Sequence, residues 1–148
     1  MTTIPTYRGL VYPWHCDHVG HMNVMWYVGK FDEASWNLFA HIGLTPSYLR
    51  DSRRGMAAVQ QNIAYRQELL AGDIVEVKSH VLEIRDKTLR FVHEMRNAET
   101  DAVAARCELT AVHIDRQIRK SCAFVEATRV AAKSLVPAAS ASFVRSQP

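Results

Sequence analysis

The sequence predicts an α+β fold in which an antiparallel sheet of five to six strands wraps one long central helix. Three observations carry this expectation. One strand-like segment is followed by a long apolar helical stretch over residues 24–41, then by a run of alternating strand-like segments, and the whole is 148 residues, the size of one ordinary domain. A sheet with one apolar face needs a cover, and that helix is the large apolar element available to provide it.

The elements follow in order. Residues 7–14 read as a strand that stops at Pro13, because proline donates no ladder hydrogen bond. A polar turn, His15-Cys16-Asp17-His18-Val19-Gly20-His21-Met22-Asn23, comes next. Asn23 suits a helix N-cap, and the helix from Val24 to His41 ends at Gly43, a natural C′ residue. Val24, Tyr27, Val28, Phe31, Ala34, Leu38, Phe39 and Ile42 keep helical spacing, while Met25, Trp26 and Trp36 widen the stripe. Lys30, Asp32, Glu33 and Asn37 break it. Such a helix is expected to have protein on most sides. Thr45-Pro46-Ser47 opens a short helical turn. Residues 56–66, 73–84, 88–96 and 102–114 read as strands, with residues 117–122 either extending the last one or turning away. The connectors Ala71-Gly72-Asp73, Arg85-Asp86-Lys87 and 97–101 are short enough for hairpins. A second helix spans about 123–132. A single domain over 1–133 is expected, with a disordered tail over 134–148. The sheet would have an open edge and would cover the helix incompletely, which predicts a homodimer and, beyond it, a homotetramer.

Hydrophobic residues make up 48% and charged residues 22%, and the net charge of +3 comes from interleaved signs with no basic block. No nucleic-acid partner is expected; the slight positive excess suits a polyanionic ligand. The three cysteines, Cys16, Cys107 and Cys122, form no CxxC pair. The N-terminus does not read as a signal peptide, and no apolar run is long enough to cross a bilayer. The expectation is a reduced, soluble, cytoplasmic protein with no membrane association.

The chemistry concentrates in residues 15–27. Asp17, Gly20, His21, Met22 and Asn23, followed by Tyr27 in the first turn of the helix, resemble the 4-hydroxybenzoyl-CoA thioesterase branch of the hot-dog fold superfamily. Tyr65 in a strand and Gly72-Asp73 before the next strand are similar to that family's later pattern, so the resemblance covers about residues 6–126. It implies a hot-dog fold and an acyl-CoA thioesterase. The site would lie at a dimer interface, with no metal or redox cofactor, coenzyme A being part of the substrate. Two departures, Val24 in place of a second Asn and Ser35-Trp36 where an Arg is frequent, blur the acyl group: short-chain, aromatic and betaine-like acyl groups all remain open.

Thioester cleavage needs a nucleophile or base, a cradle for the developing oxyanion and a hold on CoA. Asp17 can supply the first. The backbone N–H of Val24, at the positive end of the helix, can supply the second. Gly20 would let backbone approach the ligand, and His21 and Asn23 would orient the turn and the carboxylate. Tyr27, Trp14, Gln60, Asn62 and Tyr65 are candidate substrate contacts, the last three coming from the second subunit's strand. Arg53, Arg54, Arg90 and Arg119 are candidates for CoA phosphates. Each residue also has a plainer role: Asp17 as a structural cap, His15 and His18 as solvated turn residues or pocket lining, Trp14, Trp26 and Trp36 as core. The three tryptophans beside a carboxylate would also suit a quaternary ammonium acyl group by cation–π attraction.

Three rival readings are considered. A zinc site from His15, Cys16, Asp17, His18 and His21 lacks a second distant ligand cluster. An enoyl-CoA hydratase would set Asp and His five apart around an Asn-Pro, whereas Asp17 and His21 are four apart. A non-catalytic acyl-CoA-binding module stays compatible with the fold itself.

Overall fold

The computed structural model describes residues 2–138. Strand β1 (Ile4–Leu10) leads into a 3-10 turn (Pro13–His15), helix α1 (Val24–His41) and helix α2 (Pro46–Ser52). Strands β2 (Arg54–Tyr65), β3 (Ile74–Ile84), β4 (Thr88–Asn97), β5 (Val103–Asp115) and β6 (Lys120–Ser121) follow, then helix α3 (Glu126–Lys133). The strands form one six-stranded antiparallel sheet in the order β1-β3-β4-β5-β2, with β6 paired to β5. No helix among the described residues is long and apolar enough to cross a membrane.

Helix α1 has the predicted bounds because both ends are chemically marked. The Asn23 side chain accepts from the Met25 N–H, and Gly43 takes φ +99° after the cap residue Ile42. Its inner face carries Phe31, Ala34, Ser35, Leu38 and Phe39, all buried. Phe39 meets Phe91 edge-on at 5.5 Å, and Phe31 stacks on His93 at 5.7 Å, so the helix lies over the inward face of β4. Between them runs a buried polar chain. Ser35 Oγ lies 2.8 Å from His93 Nε2, His93 Nδ1 lies 2.5 Å from Ser79 Oγ, and Ser79 Oγ lies 2.7 Å from Thr6 Oγ1. Burial pushes the His93 imidazole down to about 3, so it stays neutral between its two hydroxyl partners.

The structure corrects several expectations. The first strand is Ile4–Leu10, because Val11 is buried and hydrogen-bonds across to Asp73 while Pro13 starts the 3-10 turn. No hairpin forms across Ala71-Gly72-Asp73: β2 pairs with β5, β3 pairs with β1 and β4, and residues 66–73 cross from the edge strand β2 to β3, next to the other edge. A short connector fits either topology by length. What distinguishes this one is Leu69, 1% exposed, whose carbonyl accepts the Met22 N–H at 2.7 Å and so ties the crossover to the entrance of α1. Protein does not surround α1 on most sides of the single chain, because Met25, Val28 and Trp36 are exposed along one flank. The domain also continues past residue 133. Leu135 is 3% exposed and its carbonyl accepts from Val81 N–H at 3.0 Å, so the predicted tail does not begin at Ser134. The rest of the tail expectation, residues 139–148, lies outside the described residues.

Candidate active site

The predicted segment folds as a compact loop at the entrance of α1. Cys16 and Met22 form an antiparallel bridge, and Asp17 N–H donates to the His21 carbonyl at 3.2 Å. The turn between them closes when Gly20 N–H donates to the Asp17 carbonyl at 3.0 Å, with Gly20 at φ +102°, a conformation that glycine adopts without strain. Gly20 therefore shapes the loop that presents Asp17.

Both oxygens of the Asp17 carboxylate have a donor. Oδ1 accepts from Val19 N–H at 2.9 Å, and Oδ2 accepts from Asn23 Nδ2 at 2.7 Å. These two bonds, the Asn23 amide first, hold the Asp17 carboxyl below its ordinary range, with His21 and His18 adding a smaller push in the same direction. Asn23 joins the carboxylate to the helix: the same side chain accepts from Met25 N–H at 2.9 Å. Trp26 N–H is taken by the Asn23 carbonyl at 2.9 Å, and among the described residues no acceptor takes the N–H of Val24. Asn23 thus ties an ionised carboxylate to the start of a helix whose first amide, that of Val24, is free.

Asp17, His21, Asn23 and Val24 are thus brought together. His21 acts through its backbone carbonyl, and its ring Nδ1 lies 3.2 Å from the Met22 carbonyl. Tyr27 is buried, donates to the Gln67 carbonyl at 3.3 Å and meets Tyr65 edge-on at 5.1 Å. Burial raises its phenol to about 12. Tyr65 touches the helix start of its own chain and keeps the rest of its side chain exposed. Gln60 and Asn62 are exposed on β2. Trp14 is 65% exposed and stacks on Tyr12 at 4.4 Å, so it is no core residue. His15 is not solvated: it is 8% exposed, accepts from Tyr12 N–H at 3.0 Å through Nδ1, and lies 4.4 Å from Trp26. Desolvation, with help from Lys30, lowers its pKa.

Two clefts lie near the helix start. One of about 280 Å³ is lined by His21, Val24, Tyr27, Tyr65 and Glu68. A larger groove of about 600 Å³ runs along the exposed flank of α1 from Met25 to Trp36 and is closed on its other side by β2. Asp17 lines neither; it is hydrogen-bonded to Asn23, the residue before Val24. Sequence reasoning grouped Lys30 and Asp32 as breaks in the apolar stripe, and the structure separates them. Lys30 is 3% exposed with Nζ 2.9 Å from Tyr7 Oη, whereas Asp32 lines the groove. Their i and i+2 spacing places them on different flanks, which was a readable signal.

Among the arginines named for CoA, Arg54 pairs with Asp115 at 3.0 Å, and Arg90 lies between Glu83 and Glu108. Arg53 instead shares a small cleft with Arg50 and Arg116. Among the described residues, no group of three or more His, Cys, Asp or Glu side chains is placed to hold a metal ion.

The model of the thioesterase-like superfamily matches residues 11–132. The chain is 30% identical over 107 residues to the L-carnitine dehydrogenase/betainyl-CoA thioesterase of Agrobacterium fabrum, covering 72% of this chain and 22% of that protein. The chain therefore spans about a fifth of that relative's length. Among solved structures, a hypothetical protein from Staphylococcus aureus in complex with CoA superimposes with a TM-score of 0.80 at 20% identity, covering 100% of this chain and 89% of that one. A 1,4-dihydroxy-2-naphthoyl-CoA thioesterase from Synechocystis superimposes with a TM-score of 0.78 at 19% identity, covering 90% and 97%. At those identities the likeness is one of fold.

Proposed function

The chain belongs to the thioesterase-like superfamily and has its hot-dog fold, and from that premise we propose that it hydrolyses an acyl-CoA thioester to a free acid and CoA. The observation that supports this most directly is the pairing of the ionised Asp17 with the unclaimed Val24 N–H across Asn23. In this reading the thioester carbonyl oxygen accepts from Val24 N–H, where the helix dipole favours the developing negative charge. Asp17 either attacks the carbonyl carbon or takes a proton from the attacking water. The C–S bond breaks, the thiolate leaves with CoA, and water supplies the hydroxyl of the acid. Its depressed pKa keeps Asp17 ionised, as both routes require. Repeated turnover in oxygen-labelled water separates the routes: label entering the Asp17 carboxylate marks the covalent one.

The acyl group belongs to the same proposal. Short-chain, aromatic and betaine-like groups are the candidates, and the name of the Agrobacterium relative gives betainyl-CoA as that protein's substrate. We also propose a homodimer joined through the free edge of β2, working in the cytoplasm without metal or redox cofactor, and able to assemble further into a homotetramer.

Asp17→Asn is the deciding variant. It removes the charge and keeps the shape, so kcat in a thiol-release assay should fall by roughly a thousandfold or more while the far-UV circular dichroism stays unchanged. Near-normal turnover by Asp17→Ala would end the assignment, and no turnover by the wild type on any CoA thioester would favour a binding module.

A further inference from the structure

We propose that the groove between α1 and β2 is the acyl subsite and that Asp32 selects an acyl group bearing a fixed positive charge. This rests on the thioesterase reading for the position of the thioester and goes beyond it in naming the substrate class and the residue that recognises it.

The position of the groove comes first. It starts at Met25, the residue after the Val24 amide, and follows one flank of α1 through Val28, Gly29, Asp32 and Trp36. A chain whose carbonyl sits at the helix tip would therefore lie along the groove. At a rise of about 1.5 Å per residue, Asp32 lies roughly 12 Å along the axis from Val24, and side chains lean back toward the helix start. That spacing suits a charge held a few methylenes from the carbonyl.

The chemistry of the walls comes second. Trp36, Met56, Val59 and Phe91 give the groove an apolar and aromatic lining, and Asp32 is the one ionisable residue among those that line it. Among the described residues, Asp32 has no ion-pair partner. Arginine and lysine are numerous in this chain, yet among the described residues none lines the groove. Asp32 is exposed in the single chain, at the rim of a groove lined by an indole, a phenyl ring and a thioether; a carboxylate there disfavours an anionic acyl group, gives a neutral one nothing specific, and attracts a weakly hydrated cation. The indole of Trp36, one turn beyond Asp32, adds cation–π attraction. A quaternary ammonium has no N–H to satisfy, so it loses less than a primary amine on entering such walls.

The test uses pairs of CoA thioesters that differ only in charge: trimethylammonio-acyl chains of two lengths, each with its carbon isostere carrying a tert-butyl group. The wild type should hydrolyse the better cationic thioester with kcat/KM at least tenfold above that of its isostere. Asp32→Asn should bring the ratio close to one, chiefly by lowering kcat/KM for the cationic thioester. A wild type indifferent to charge, or an Asp32→Asn variant that keeps the preference, would overturn the subsite. If no thioester is cleaved, the proposed function fails. The subsite is then judged by calorimetric binding of the same pairs to the two proteins, with the same ratio required.

Discussion

Asn23 uses one side chain for two tasks. Its Oδ1 caps α1 through Met25 N–H, and its Nδ2 donates to Asp17 Oδ2. The cap is worth about 1 kcal/mol of stability. The second bond is the largest cause of the low Asp17 pKa. Because the folded pKa is depressed, the contribution of Asp17 to stability is present above the ordinary carboxylate range and is lost as pH falls through it. Asn23→Ala should therefore lower stability by about 1 kcal/mol and move the titration of Asp17 upward, toward the usual value near 3.9. Carbon NMR of the Asp17 carboxyl reads that titration without requiring turnover. The acid limb of kcat/KM should rise with it. An unchanged titration would mean that Val19 N–H alone sets the pKa. At this scale the sequence was informative: Asp17, His21, Asn23 and Val24 do converge. It was misleading for His15, whose partner Trp26 belongs to a helix face that only the packed fold brings to it.

Among the elements, the helices and strands were largely legible because their periodicities and caps are local. Asn23 and Gly43 mark α1, and Thr45 caps α2 by accepting from Tyr48 N–H at 3.1 Å. Strand order was not legible. Whether residues 66–73 fold back as a hairpin or cross the sheet depends on Leu69 finding a buried place beside Met22, a contact between segments 47 residues apart. The end of the last helix shows the same limit. Small and polar neighbours make Leu135 look like part of a tail, yet it is buried and its carbonyl holds the β3 backbone at Val81. Leu135→Ala should cost about 2–5 kcal/mol, read as a lower urea midpoint with an unchanged slope. A loss below about 0.5 kcal/mol would show that α3 docks without it.

For the whole molecule, the exposed stretch of β2 is the feature with the largest consequence. Residues 58–62 are exposed at the free edge of the sheet, and Val59, Gln60, Gln61 and Asn62 carry no charge to discourage pairing with another strand. If the proposed dimer forms there, Val59→Lys should shift sedimentation toward the monomer and reduce turnover, since the groove lies beside that edge. A wild type that sediments as a monomer at micromolar concentration would remove the dimer. The buried chain through His93 also spans the molecule, from the groove floor on α1 across β4 and β3 to β1, and its hydrogens can be arranged in two complete ways. In one, Thr6 donates to Ser79, Ser79 to Nδ1, and Nε2–H to Ser35, whose hydroxyl ends on the Phe31 carbonyl. In the other every donor reverses, and the last hydroxyl, that of Thr6, ends on the Val77 carbonyl. Both tautomers leave every partner satisfied, so whichever molecule touches the Ser35 hydroxyl also chooses the direction in which a row of protons points three strands away.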